Sequence, residues 1–264
     1  MKKYIPFHKY QGSGNDFILV DNRGDSPWIE RKNTILIKSM CDRHFGIGAD
    51  GLMLLQAADG FDFEMVYFNS DGCESTLCGN GGRCIAAFAQ QLAIFDFACR
   101  FLAVDGAHKA ILPRPGYVEL QMSDVLDFQI RDGSYILHTG SPHFVKFVEN
   151  MDSVDIVKEG RAIRYAEPFL EAGINVNFVE VRSDGIHVAT YERGVEDETL
   201  SCGTGVTAAA MAYALACNSG GHHDIPVKTK GGTLEVRFDL EGGNFNNVWL
   251  CGPAREVFFG NFPL

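Results

Sequence analysis

Several common functional signatures are missing from this 264-residue chain. No uninterrupted apolar run reaches the roughly 18 residues of a membrane-spanning helix. The longest candidate, Ile85 to Val104, is broken by Gln90, Gln91, Asp96 and Arg100. The eight cysteines, at 41, 73, 78, 84, 99, 202, 217 and 251, include no Cys-x-x-Cys pair, so their spacing predicts no zinc site. No Gly-x-x-x-x-Gly-Lys-Ser/Thr string is present to cradle a nucleotide phosphate. Basic side chains are outnumbered, 23 against 34 acidic, for a net charge of −11. That balance excludes a broad phosphate-binding surface and makes nucleic acid an unexpected partner. It leaves room for a small anionic ligand, because a site can be locally positive inside an acidic protein. The opening Met1-Lys2-Lys3-Tyr4-Ile5-Pro6 lacks the apolar region of a signal peptide, which predicts a cytoplasmic protein with its cysteines kept as thiols.

What is present is an ordinary globular composition, 46% hydrophobic and 22% charged. The length suits one large domain or two of about 130 residues. Most of the chain reads as short strands rich in β-formers and bounded by Gly, Asp, Asn and Pro: 17–20, 52–55, 61–68, 117–122, 143–148, 175–181, 187–191, 233–240 and 248–251. Three segments read as helices. Trp28 to Phe45 is amphipathic. Gly81 to Leu92 and Gly205 to Cys217 are Ala-rich and apolar nearly all round, which predicts helices enclosed by other structure.

The two enclosed helices repeat. At an offset of 124 residues, Tyr67 falls on Tyr191, Glu74 on Glu198, Cys78 on Cys202, Gly79 on Gly203, Gly81 on Gly205 and Ala86 on Ala210. These identities fall without a gap over 20 positions, where chance supplies roughly one or two. Two similar halves follow, each a strand-rich domain around a central helix, with a linker near Asp124 to Asp132.

Each half sets one cysteine just before a Gly-x-Gly that opens its helix. Backbone N–H groups without intrahelical partners and the positive end of the helix dipole gather there. A thiol at that position is favoured as thiolate, and glycines let a carboxylate approach the backbone. Two such sites facing one another would place a sulfur on each side of a substrate carbon, the geometry of a two-base racemase or epimerase. A lone cysteine at such a turn is usually just a small buried residue. The matched pair sets Cys78 and Cys202 apart from the other six.

The segment Asn69-Ser70-Asp71-Gly72-Cys73-Glu74-Ser75-Thr76-Leu77-Cys78-Gly79-Asn80-Gly81-Gly82-Arg83 resembles the signature of the diaminopimelate epimerases, Asn-x-Asp-Gly-Ser, four residues, then Cys-Gly-Asn-Gly/Ala-x-Arg. Similar segments follow the family order: Gly12-Ser13-Gly14-Asn15-Asp16-Phe17, Gly46-Ile47-Gly48-Ala49-Asp50-Gly51, Pro142-His143, Asn175, and Tyr191-Glu192-Arg193-Gly194 ahead of Cys202-Gly203-Thr204-Gly205. The resemblance implies an α+β fold of two pseudo-symmetric domains, each a β-barrel-like sheet around a central helix. They are expected over 1–125, completed by a C-terminal strand at about 254–264, and over 126–253. It implies a cofactor-independent, metal-free enzyme that interconverts LL- and meso-diaminopimelate in lysine and peptidoglycan precursor biosynthesis. Cys78 and Cys202 are the implied bases, with His143 and Glu192 tuning them. Gly79, Asn80, Gly203 and Thr204 are the implied holders of the α-carboxylate. Asn15, Asn69, Asn175, Glu192 and Arg193 are implied on the rest of the substrate. A homodimer is compatible with the resemblance, although the sequence does not give the oligomeric state.

Two positions depart from the pattern. Cys73 replaces the family Ser and is expected to fill a serine-sized space. Ser141 stands where many members carry Asn before Pro-His, which bears on substrate range. The alternative is another two-cysteine racemase of this fold, acting on histidine or a proline derivative such as hydroxyproline. Arg193 and Asn175 favour a substrate with a distal carboxylate. A non-catalytic amino-acid-binding protein would need neither thiol.

Overall fold

The computed structural model describes residues 4–24 and 26–264. Met1 to Lys3, which open the expected first domain, and Asp25 lie outside them. The chain divides into two compact units, one of residues 1–120 and 253–264 and one of residues 121–252.

In the first unit the order is β1 (Tyr4–Gly12), β2 (Asn15–Asp21), α1 (Thr34–Cys41), β3 (Gly51–Gln56), β4 (Phe63–Asn69), β5 (Glu74–Ser75), α2 (Gly79–Gln91), β6 (Ala98–Ala103), β7 (Gly106–Arg114) and β8 (Tyr117–Gln121). Strand β1 pairs antiparallel with β2, β2 runs parallel to β3, and β3 and β4 form an antiparallel pair. Strand β4 takes β5 antiparallel and β6 parallel, and β6–β7–β8 is an antiparallel meander.

The second unit repeats this plan. Its order is β9 (Phe128–Arg131), β10 (Ser134–His138), β11 (Pro142–Phe147), α3 (Ile156–Arg164), β12 (Asn175–Arg182), β13 (Gly185–Glu192), β14 (Asp197–Thr199), α4 (Gly203–Ala216), β15 (Gly221–Thr229), β16 (Gly232–Glu241) and β17 (Asn244–Pro253). Strands β10 and β11 are antiparallel, β11–β12 parallel, β12–β13 antiparallel, β13–β15 parallel and β15–β16–β17 antiparallel. The outer strand differs in origin. In the second unit β9 supplies it through a local hairpin with β10. In the first, β18 (Arg255–Pro263) returns from the far end of the chain to pair with β1.

Each central helix packs against the strands of its own unit, α2 on β1 to β4 and β7, α4 on β10 to β13, β15 and β16. Their composition permits this. Along α4, Gly203, Gly205, Val206, Ala208, Ala209, Ala210, Ala212 and Ala214 are buried. Along α2, Gly79, Gly81, Gly82, Ala86 and Ala89 are buried. Small side chains let strands close around a helix with no polar face. The α+β class and the sheet-around-helix plan match expectation.

Several details differ. The first helix covers only Thr34–Cys41 of the expected 28–45. Upstream, the Asn22 side chain accepts from the Ile29 N–H (3.2 Å) and donates to its carbonyl (2.9 Å), which holds Ile29 out of a helix. Downstream, Asp42 Oδ1 accepts from the His44 and Phe45 N–H groups and turns the chain. The expected linker contains strand β9. Helix α3 was not legible from apolar periodicity, because only Ile156 and Gly160 are buried. Cys73 is exposed rather than filling a serine-sized space, and so is Cys217.

Candidate active site

Cys78 and Cys202 occupy the same structural position. Each is the N-cap of its unit's enclosed helix, in extended backbone conformation (φ −94°, ψ 123° and φ −114°, ψ 112°). Each carbonyl accepts the first intrahelical bond, from Gly82 N (2.7 Å) and Val206 N (2.8 Å). Neither cysteine side chain caps its helix, and neither helix carries an acidic residue in its first turn. The positive end of each dipole is therefore not neutralised from within its own first turn. Cys78 is half-buried and Cys202 buried.

In the first unit, α2 carries a fully buried arginine in its second turn. Arg83 donates to Asn80 Oδ1 (2.7 Å) and Ser13 Oγ (3.2 Å). Asn80 Nδ2 in turn donates to Asn15 Oδ1 (2.6 Å), and Asn15 Nδ2 to Asp50 Oδ2 (3.0 Å). Asp50 and Asp16 share Arg43 (2.6 and 2.7 Å), and Asp16 also meets the buried Lys9 (2.7 Å). Burial raises the Asp16 carboxyl, but hydrogen bonds from Arg43 and Lys9 outweigh it and hold it at about 2. The network fixes the amide of Asn15 and, through it, that of Asn80. Asn69 closes β4 in an exposed turn, its carbonyl accepting from Gly72 N (2.9 Å).

In the second unit Cys202, Thr204, His143 and, through Ser141, Asn175 converge on the first turn of α4, while the Arg193 guanidinium points elsewhere. Thr204 Oγ1 lies 3.4 Å from Cys202 Sγ and 2.9 Å from His143 Nε2. Asn175 donates to Ser141 Oγ (3.0 Å) and to the Pro142 carbonyl (3.1 Å), and its Oδ1 accepts from the Arg193 N–H (2.9 Å). The Arg193 guanidinium donates to the Ala172 carbonyl (2.8 Å) and is exposed. Glu192 closes β13, half-buried, opposite Asp197. Burial holds the His143 imidazole down at about 3, with the nearby charges of His138 and Arg193 adding to the effect. It is neutral at physiological pH.

Sequence reasoning missed Asn177, Thr190 and the supporting roles of Arg83, Arg43, Asp16 and Asp50. Two signals pointed to Asn177 and Arg83 alone: polar residues at 175 and 177 alternate with apolar ones along one strand, and Arg83 interrupts an otherwise apolar helix.

The fold recurs in solved structures. A phenazine biosynthesis protein of the PhzF family from Bacillus anthracis superposes with TM-score 0.77 at 13% identity, covering 99% of this chain and all of that one. A hydroxyproline epimerase from Agrobacterium vitis superposes at 0.72 with 12% identity, over 100% of this chain and 94% of that one. At such identities the likeness defines the fold alone. The sequence comparisons are closer. The diaminopimelate epimerase family model matches residues 7–107 and 135–257. The diaminopimelate epimerase of Flavobacterium psychrophilum is 49% identical over 96% of this chain and 98% of that protein. That of Chlorobaculum tepidum is 40% identical over 96% and 99%. The chain belongs to the diaminopimelate epimerase family and is an isomerase of the epimerase class.

Proposed function

We propose that this enzyme interconverts LL- and meso-diaminopimelate without a cofactor, using Cys78 and Cys202 as its two bases. The observation that carries this reading is the matched placement of the sulfurs, each at the N-cap of an enclosed helix at the same point of a repeated strand order. In one direction one cysteine, as thiolate, removes the α-proton while the other, as thiol, delivers a proton to the opposite face. The roles exchange in reverse. The planar intermediate moves negative charge onto its α-carboxylate, where N–H groups of Gly79, Asn80, Gly203 and Thr204 at two helix N-termini stabilise it. Asn15, Asn69, Asn175 and Arg193 read the distal amino-acid end, and Glu192 and His143 set the environment of the bases and the bound ammonium. Support comes from the names of the relatives and from the hydrogen-bonded links Asn80–Asn15 and Asn175–Arg193.

The product serves lysine and peptidoglycan precursor synthesis in the cytoplasm. Among the described residues no helix is long and apolar enough to cross a membrane. A homodimer is supported by the apolar residues exposed on β18, Val257 and Phe259 at 57% and 74%. Sedimentation as a monomer at working concentration would remove that assignment.

Incubation with LL-diaminopimelate in deuterated water is expected to give meso product with deuterium at the α-carbon. Cys78→Ala and Cys202→Ala are each expected to lower epimerisation at least about 10²-fold. Absence of both label and meso isomer defeats the substrate assignment, and full activity in either variant removes that cysteine from the chemistry.

A further inference from the structure

We propose that His143 acts as a fixed neutral donor, held in one tautomer by Asn177, and that it aims the hydroxyl proton of Thr204 at the sulfur of Cys202. The inference rests on the reading of Cys202 as one of the two bases.

The argument begins at Asn177, which is fully buried on β12. Its Oδ1 accepts from the Thr190 hydroxyl (2.9 Å) and its Nδ2 donates to the Phe144 carbonyl (3.1 Å). A carbonyl can only accept, so the side-chain amide has one permitted orientation. That orientation places the Nδ2 donor 3.1 Å from His143 Nδ1. His143 Nδ1 must therefore accept, and a neutral imidazole then carries its proton on Nε2. The ring is fully buried, with His138 on β10, Arg193 after β13 and Cys202 before α4 as the titratable or charged groups around it.

From Nε2 the direction propagates. Its N–H reaches two oxygens at 2.9 Å, Ser141 Oγ and Thr204 Oγ1, which lie 3.2 Å from each other. Asn175 Nδ2, also an obligate donor, enters the same pair through Ser141 Oγ (3.0 Å). Two donors feeding a pair of hydroxyls push the hydroxyl protons outward. Ser141 can give its proton to Thr204, and Thr204 can give its own to Cys202 Sγ at 3.4 Å. The sulfur ends the chain as acceptor, a role a thiolate fills better than a thiol. His143 and Asn177 are thus positioning residues that act through Thr204.

The local fold makes room for this arrangement. In parallel pairing β11 sets His143 beside Asn175, and antiparallel pairing sets Asn177 opposite Thr190. Gly205 lies over the network, and a Cβ there would stand 2.4 Å from Asn177 Oδ1 and 3.3 Å from His143 Cε1. Glycine in the first turn of α4 therefore serves the buried amide as well as an incoming carboxylate.

Two measurements test the proposal, and neither needs substrate, so their outcome is separable from that of the epimerase reading. Nitrogen-15 NMR of the histidine-labelled parent enzyme should show His143 Nδ1 without a proton and Nε2 as N–H, unchanged from about pH 5 to 8. A protonated Nδ1 overturns the tautomer assignment. Alkylation of the reduced enzyme against pH, followed by mass spectrometry at the Cys202 peptide, reports the thiolate fraction there. Thr204→Val should move the midpoint upward by about one pH unit, the shift expected for one lost hydrogen bond to a charged group. Thr204→Ser should restore it. An unchanged midpoint in Thr204→Val overturns the relay.

Discussion

Asp16 shows how the first unit depends on a cluster of charges. Three side chains from two segments, Lys9 of β1 and Arg43 and Asp50 of the connection between α1 and β3, meet around it, and Asp50 then holds Asn15. Its folded-state carboxyl sits at about 2, below the ordinary 3.8, so the folded state gains stability from it above about pH 4. That gain is lost as pH falls from about 4 through 2, because the unfolded chain takes up the proton first. Asp16→Asn should flatten the dependence of urea-unfolding free energy on pH in that window. An unchanged slope would show that the ion pairs do not form in solution. The cysteines sort at the same scale. Burial pushes the Cys41 and Cys99 thiols up to about 12 and raises that of Cys84 as well, so these three are inert at neutral pH. Composition could not make that distinction, because it follows from what surrounds each sulfur.

Among the elements, the short helices show what local signals can and cannot specify. The cap of α3 was a local matter, Asp155 accepting from the Lys158 N–H. Its packing was not, because the contact that matters is Gly160 against Tyr191 of β13, where a Cβ would meet the tyrosine Cβ at 2.4 Å. Gly160→Ala should therefore destabilise by about 1–3 kcal/mol despite the better helix propensity of alanine. Gly81→Ala is the control. Its Cβ would meet the Met53 methyl at 2.2 Å, and a methionine end can swing away, so the loss there should be smaller. Urea-unfolding midpoints decide the order, and an equal or reversed order would show that Tyr191 moves as easily as Met53. The enclosed helices α2 and α4 were legible because Ala-rich, apolar-all-round sequence has few other places to go. Helix α1 is shorter than its amphipathic pattern predicts, since side chains of Asn22 and Asp42 claim backbone groups that a longer helix would need.

At the scale of the whole molecule, the two units follow one plan but close it differently. The second completes its outer edge within a hairpin, whereas the first waits for β18, paired with β1 from Tyr4–Pro263 to Gln11–Arg255. Phe262 packs on the cluster that contains Ile5 and Phe7. Ending the chain after Ala254 should leave the amides of β1 open to hydrogen exchange while those of β12 and β13 stay protected. Protection of β1 in the truncated chain would show that β18 is dispensable. The sequence by itself determined the repeat, through identities at one fixed offset, and the enclosed helices with a cysteine at each start, because these rest on neighbours within a few residues: a glycine pair, an apolar face, a turn. Only the tertiary structure decided the tautomer of His143, the orientation of Asn177 and the ion cluster behind Asn15. Those depend on strand register and burial, which bring together donors and acceptors tens of residues apart.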